Sequence, residues 1–399
     1  MSFIRRMFGF SIVITAAASF GVAALAGDPG EGFFNNADRA PLAELIGNAR
    51  QSVQIEVYEM DDPAVIGALR AALQRGVSIH IVQEPKPLGS ACRVFGDTGP
   101  DSPAQDGNQP PHAPGAVSCA DQQAFVGAVN ASKGGRYVPY RKEALCPSGS
   151  GCFEHGKIAV IDGSLALITT GNFNVSNLCD RAASPRQCDR DFSFVTRDPD
   201  VVTALSQIVE ADARGNRYDV GQFLPAPVAA KLTVSPKSLD SLVAFLRSAQ
   251  SSIQLENQYL KDPTLNQELV AAARRGVRVQ VMVASECAFG PMKPSEQKKL
   301  TDIFTAFDGV GISSRFFTKN IHVGGFNGYL HAKAIVVDGT HAWLGSVNGS
   351  TEALTKNREF GIYFDGSSDV RGLAAIISAD FSDPGSESWE EGIRCAEGR

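Results

Sequence analysis

Two stretches of this 399-residue chain repeat each other at a fixed offset of 200. Residues 52–58 read Ser-Val-Gln-Ile-Glu-Val-Tyr, and residues 252–258 read Ser-Ile-Gln-Leu-Glu-Asn-Gln. Farther on, Asp62-Pro63 falls on Asp262-Pro263, and Arg75-Gly76-Val77 on Arg275-Gly276-Val277. In each copy, apolar residues at helical spacing (Leu42, Leu45, Ile46, Ala49; Leu242, Phe245, Leu246, Ala249) precede a short alternating run, as when a helix feeds a strand. A second helix-forming stretch ends at Arg-Gly, where glycine suits a helix C-cap, and a β-branched run follows. This strand-helix-strand succession belongs to the α/β class and favours neighbouring parallel strands.

A repeat this long, present twice, is a duplicated domain and not a solenoid of short units. The expected organisation is a first unit over 27–222, a Pro/Ala-rich linker over 223–232 and a second unit over 233–399. The first copy is the longer one. Its excess lies mainly between Pro85 and Ser150, a Gly/Pro/Ser/Asp-rich stretch with cysteines, as in a functional lid or a cross-linked excursion.

Each copy carries one chemically distinctive segment. His155-Gly-Lys157-Ile-Ala-Val-Ile-Asp162 matches His331-Ala-Lys333-Ala-Ile-Val-Val-Asp338 at an offset of 176. Both sit on strand-like runs, so His and Lys, two apart, share one face. A given His meets this spacing about once in 400 by chance, so two matches among six His arise by chance on the order of once in 10,000. At the same offset Thr169-Thr170-Gly171-Asn172 falls on Gly345-Ser346-Val347-Asn348, and then Arg190-Asp191-Phe192 matches Arg358-Glu359-Phe360.

These residue types suit the cleavage of a phosphodiester, whose negative oxygens resist attack unless cations and amide donors hold the developing charge. Lys157, Lys333, Asn172 and Asn348 fit that task, with Thr170 and Ser346 as further phosphate contacts. One imidazole can attack phosphorus while the other protonates the leaving oxygen, and a carboxylate behind each ring, Asp191 or Glu359, would fix its tautomer. Asp162 and Asp338, five residues past Lys, fall on the opposite strand face and are expected to be structural.

The two His-x-Lys-x4-Asp segments with their Ser/Thr and Asn followers resemble the paired motifs of the phospholipase D superfamily, over nearly the whole chain after residue 26. That resemblance implies two α-β-α units with mixed, largely parallel sheets packed about a pseudo-twofold axis, one shared site and a phosphohistidine intermediate. It implies no metal and no cofactor. It makes His155 the nucleophile and His331 the acid. Thr169-Thr170-Gly171, in place of the commoner Gly-Ser of the second copy, departs from the family pattern.

The superfamily acts on lipids and on nucleic acids, so substrate rests on other features. Residues 253–259, Ile-Gln-Leu-Glu-Asn-Gln-Tyr, resemble a strand of eukaryotic-type phospholipases D. The formal charge of −6, which becomes −8 once Arg5 and Arg6 are removed with a leader, disfavours generic nucleic-acid binding. The expected reaction is hydrolysis of phospholipid at a membrane surface to phosphatidic acid and a headgroup alcohol, with transphosphatidylation to added alcohols and no stable protein partner. Gly324 to Tyr329, with Phe316 and Phe317, would either touch lipid or pack as an ordinary loop. The alternatives are a secreted nuclease using Arg181, Arg186 and Arg190 as a basic patch, charges otherwise read as solvated loop residues, and a non-catalytic binding protein. The full set of reactive residues in both copies argues against the last. Of the other histidines, His80, His112, His322 and His341 are expected to be structural or exposed.

Arg5 and Arg6 followed by an apolar run to Ala24-Leu25-Ala26 have the layout of a secretory signal peptide cleaved near Ala26, an uncleaved anchor being the alternative. A secreted or periplasmic location follows. The eight cysteines agree with it: Cys92, Cys119, Cys146, Cys152, Cys179 and Cys188 lie in polar loops, and Cys287 and Cys395 form a possible fourth pair. Connectivity stays open at this level. Zinc is disfavoured because no Cys-x2-Cys pair occurs.

Overall fold

The computed structural model describes residues 30–88, 92–96, 115–146, 151–179, 188–285, 292–317, 322–323 and 326–394. Expectations placed on residues 1–26, His112, Arg181, Arg186, Gly324, Gly325, Cys287 and Cys395 lie outside the described residues, as do those on the side chains of His322 and Phe326.

The first half builds a seven-stranded sheet from β1 (Gly32–Asn35), β2 (Ser52–Val57), β3 (Ser78–Gln83), β4 (Arg136–Pro139), β5 (Lys157–Ile161), β6 (Leu165–Thr169) and β7 (Phe192–Thr196), in the order β1-β7-β6-β5-β2-β3-β4. The second half supplies β8 (Leu232–Val234), β9 (Ser252–Asn257), β10 (Arg278–Ala284), β11 (Ser313–Phe317), a separate hairpin of β12 (His322–Val323) and β13 (Phe326–Asn327), then β14 (Lys333–Val337), β15 (His341–Gly345), β16 (Phe360–Phe364) and β17 (Glu387–Ser388). Its eight-stranded sheet runs β17-β11-β10-β9-β14-β15-β16-β8.

The duplicated strand-helix-strand segments fold alike. Asp62 and Asp262 cap the helices Pro63–Gln74 and Pro263–Arg274, accepting from Val65 N and Leu265 N at 2.9 Å, with proline at the first helical turn where its missing N–H costs nothing. Gly76 and Gly276, at φ 84° and 93°, turn the chain out of those helices. The next strands then run parallel, β2 with β3 and β9 with β10.

The sheets are mixed, but the balance is antiparallel, not largely parallel. In the first sheet only the pairings of β2 with β3 and β3 with β4 are parallel; in the second, only those of β9 with β10 and β10 with β11. The motif strands cause this. β5 and β14 turn straight into β6 and β15 through Asp162-Gly163 and Asp338-Gly339, all four residues with positive φ, which is the Asp-Gly chemistry of tight hairpins.

Both faces of each sheet are covered, so the motif strands are buried throughout. Ile158 and Val160 face the core shared by the two halves, while Ala159 and Ile161 face the outer helices. The shared core takes residues from both sheets, including Phe192, Phe360 and Phe364, together with the helices Pro199–Arg214 and Ser367–Ser382. Phe194 stacks on Phe364 across it at 4.4 Å; burying a phenylalanine contributes about 1.5–3 kcal/mol. Phe316 and Phe317 belong to these cores, fully buried on β11, and so are not lipid-facing. Three disulfides form within the first half, Cys92–Cys119, Cys146–Cys152 and Cys179–Cys188, each tying a loop to itself or to the helix that follows it. Among the described residues no helix is long and apolar enough to cross a membrane.

Candidate active site

Each motif enters its strand where the halves meet. His155 N donates to Arg358 O at 2.9 Å and Arg358 N to Phe153 O at 2.9 Å; in the mirror position His331 N donates to Arg190 O at 3.2 Å and Arg190 N to Tyr329 O at 2.8 Å. The segment before each His is thus hydrogen-bonded to the segment before the other half's acid. The acids are exchanged as a result: His155 Nδ1 lies 2.8 Å from Glu359 Oε2, and His331 Nδ1 lies 3.0 Å from Asp191 Oδ1. Each ring is braced by a carboxylate from the other copy. Among the described residues Nε2 of both rings has no protein partner.

The site is largely buried and holds two lysines, which sets its protonation. Burial, with Lys157 and Lys333 adding to it against the pull of Glu359, lowers His155 to about 4. Burial and the charges of Lys333, Lys157 and His155 hold His331 well below its ordinary value. Burial likewise lowers Lys157 to about 8 and Lys333 to about 7, although Glu359 and Asp191 support their charge. Asp191 is raised to about 7 by burial, against Lys333, Thr170, Lys157 and Asn177. The Asp191–His331 pair therefore retains a proton near neutrality, and His155 does not.

Both lysine ammonium groups donate to the carbonyl of the histidine two residues before, Lys157 Nζ to His155 O at 2.5 Å and Lys333 Nζ to His331 O. Asn172 and Asn348 are buried, and their Oδ1 atoms have no hydrogen-bond partner. A polar group left this way in both halves is costly without a ligand. Thr170 and Ser346 are buried beside the acids that follow them in sequence. Thr170 Oγ1 donates to Asp191 Oδ1 at 2.5 Å and accepts from Phe192 N, while Ser346 Oγ accepts from Phe360 N at 3.0 Å. Their hydroxyls are thus engaged by the neighbouring strand.

Asp162 and Asp338 lie in the hairpin turns, past the strand ends rather than on a strand face. Asp162 accepts from the backbone N–H groups of Arg50, Gln51 and Ser52, and Asp338 from those of Gln250, Ser251 and Ser252 plus the Ser251 hydroxyl. They lock the motif hairpin to the start of β2 or β9.

Arg190 is neither a nuclease patch nor a solvated loop charge. It is buried and paired with Asp380 through Nε at 2.6 Å and Nη2 at 2.8 Å, as Arg358 is with Asp212 at 2.7 Å and 3.2 Å. Beside these pairs sit Glu56 and Glu256, wholly buried and raised well above the usual carboxylate range by burial and by Asp212 or Asp380. The repeat at Glu56 and Glu256 was readable from sequence; the partners Asp212 and Asp380 were not. Asn257, from the strand that resembles a phospholipase D segment, holds the Asn348 loop: its Oδ1 accepts from Gly349 N at 3.1 Å and its Nδ2 donates to Val347 O. Gly328, ahead of the second motif, passes so close to the Cys188 carbonyl that a Cβ there would lie 1.9 Å from it. His80 lies half-buried against Glu210 at 2.5 Å, and His341 is exposed.

Taken together, the geometry defines a duplicated α/β protein with one histidine-lined site to which both halves contribute. Residues 42–213 and 242–382 match the family described as cardiolipin synthase, PLD-like domain, and the chain belongs to this phospholipase D-like family. It is 25% identical over 259 residues to a probable cardiolipin synthase, YwiE, of Bacillus subtilis (strain 168), an alignment covering 57% of this chain and 46% of the relative. The chain thus spans less than half the length of that curated relative. The fold is similar to that of phosphatidylserine synthase from Haemophilus influenzae Rd KW20, with TM-score 0.59 and 13% identity over 90% of this chain and 88% of the other. It is also similar to polyphosphate kinase from Porphyromonas gingivalis, with TM-score 0.56 and 15% identity over 89% of this chain and 51% of that one.

Proposed function

We propose that the protein is a phospholipase D-type phosphodiesterase that hydrolyses phospholipid to phosphatidic acid and the headgroup alcohol, through a phosphohistidine on His155. The crossed bracing of the two rings carries this reading. With Nδ1–H of His155 held by Glu359, Nε2 presents its lone pair to phosphorus. As the P–N bond forms and the P–O bond to the headgroup breaks, the leaving oxygen takes a proton from Nε2 of His331, which Asp191 braces. In the second step His331 removes a proton from water, the oxygen attacks phosphorus, and His155 leaves with its electron pair. An alcohol can replace that water. Lys157, Lys333 and the two unpartnered carboxamides of Asn172 and Asn348 supply charge and donors for the phosphoryl oxygens, the amide groups turning to present Nδ2.

Choice of a lipid is supported by the relatives, which carry the names cardiolipin synthase and phosphatidylserine synthase, and by the acidic net charge of the chain. The three disulfides support a location outside the cytoplasm. The decisive experiment offers phosphatidylcholine and phosphatidylethanolamine vesicles and plasmid DNA side by side. Headgroup release that survives a chelator and disappears in His155→Asn is expected; plasmid cleavage without lipid turnover would overturn the lipid assignment.

A further inference from the structure

The two halves of the site differ, and the differences gather around His155. Tyr58 follows β2 and lies edge-on to the His155 ring, centroids 4.9 Å apart, while Lys157 Nζ sits 5.2 Å from the centre of the Tyr58 ring. The matching residue in the second half is Gln258. Tyr58 N donates to Gly156 O and Gln258 N to Ala332 O, both at 3.1 Å, so the side chains leave the backbone from equivalent places and only one of them is an aromatic wall. Glu154 is a second difference. It is buried, accepts from Gly156 N at 2.6 Å, and its own N–H donates to Glu84 Oε2 at 3.0 Å, with Glu84 paired to Lys142 at 2.5 Å. The counterparts of Glu84 and Glu154 are Ala284 and Leu330. Glu154 also helps explain why the first motif has Gly156 where the second has Ala332: a Cβ at Gly156 would lie 2.7 Å from Glu154 Oε1 and 2.5 Å from the Phe360 ring.

We propose that Tyr58, assisted by Glu154, is a positioning residue that breaks the pseudo-twofold equivalence of the site and makes His155, not His331, the ring that takes the phosphoryl group; this rests on the phosphohistidine reading above. The Tyr58 ring closes off one side of the imidazole, opposing rotation away from Glu359 and excluding water. Its face also steadies the Lys157 ammonium. Glu154 fixes the Gly156 peptide that links His155 to Lys157. The charged and titratable groups around His155 are Glu359, Lys157, Lys333 and His331, with Glu154 and Glu84 beyond the Gly156 peptide. Exclusion of water is the largest influence keeping His155 neutral, and Tyr58 is part of the wall that excludes it.

Two readouts on the full chain test this. In protein with isotope-labelled histidine, the titration of His155 in Tyr58→Gln, which copies the second half, should move toward the ordinary value by about one pH unit, with His331 unmoved. Tyr58→Phe should titrate as the native chain does. Rapid quenching with a labelled phosphodiester, followed by peptide mapping, should find label on His155 alone in the native chain and on both histidines in Tyr58→Gln. Should Tyr58→Gln not fold, Tyr58→Leu, which keeps the burial without the ring, serves the labelling readout alone, and label on both histidines is expected of it. An unmoved His155 titration, or label confined to His155 in the variant, overturns the inference. Absence of label on either histidine in the native chain would instead overturn the phosphohistidine reading, and the titration would still decide the role of Tyr58.

Discussion

Replacing Glu359 by Gln keeps the shape of the side chain and removes the charge 2.8 Å from His155 Nδ1. The carboxylate is fully buried, and its other oxygen accepts from Asn357 Nδ2 at 3.1 Å. In the variant the amide oxygen stays with Asn357, so its NH2 must turn toward the ring. Nδ1 then has to accept a hydrogen bond, and the single proton of the neutral imidazole moves to Nε2, the atom that must attack. A charge-assisted hydrogen bond of this kind contributes about 1.5–3 kcal/mol, or roughly 10- to 150-fold in rate. The wrong tautomer raises the loss toward about 10⁴-fold. The assay is kcat/KM with two substrates, a p-nitrophenyl phosphodiester and one with an alkyl leaving group. Glu359→Gln should slow both alike, because it damages the nucleophile. Asp191→Asn, behind the acid, should slow the alkyl substrate strongly and the p-nitrophenyl substrate by less than about tenfold, since nitrophenolate leaves without a proton. Circular dichroism establishes that both variants fold. The reverse pattern, with Asp191→Asn slowing both and Glu359→Gln sparing the good leaving group, would refute the assignment of the Glu359-braced ring as nucleophile and the Asp191-braced ring as acid.

Three further outcomes are expected. The pH profile of kcat/KM for an alkyl substrate should fall below about 4, where His155 takes up a proton, and above about 7, where the Asp191–His331 pair and Lys333 lose theirs; a p-nitrophenyl substrate should weaken the alkaline limb. Arg358→Met should destabilise the chain by about 3–5 kcal/mol in denaturant unfolding, because Asp212 is left buried without its partner. Asp338→Asn should cost about 1 kcal/mol with little effect on chemistry. Burial opposes the Asp338 charge, but the N–H groups of Ser252, Gln250 and Ser251 outweigh it and lower the carboxyl to about 2, so this contribution is present above the unfolded value near 4 and is lost as pH falls through about 2.

The duplication and the placing of a histidine and a lysine together on one strand face in each copy were legible in sequence because each rests on local spacing. Strand alternation puts His155 and Lys157 on one face whatever surrounds them, and the Asp-Pro and Arg-Gly pairs mark the ends of the same helix in both copies. The exchange of Asp191 and Glu359 was not legible, since each acid looks like a member of its own copy until the halves are packed together. The same holds for Arg190 with Asp380 and Arg358 with Asp212, pairs separated by 190 and 146 residues. The engagement of the Thr170 and Ser346 hydroxyls was not legible either, because matching repeat positions do not reveal that a backbone N–H on the next strand donates to each of them. Parallel pairing was overweighted because the strand-helix-strand signal is long. Asp162-Gly163 and Asp338-Gly339, two residues each, were the available sign of the antiparallel hairpins.

The central claim is that both motifs serve one site, and the stoichiometry of the trapped intermediate tests it most directly. When the native chain turns over a labelled phosphodiester and is quenched during the burst, label should approach one equivalent per chain, all of it on His155. Two equivalents per chain, one on each histidine, would contradict the account, and so would steady turnover with no label on either.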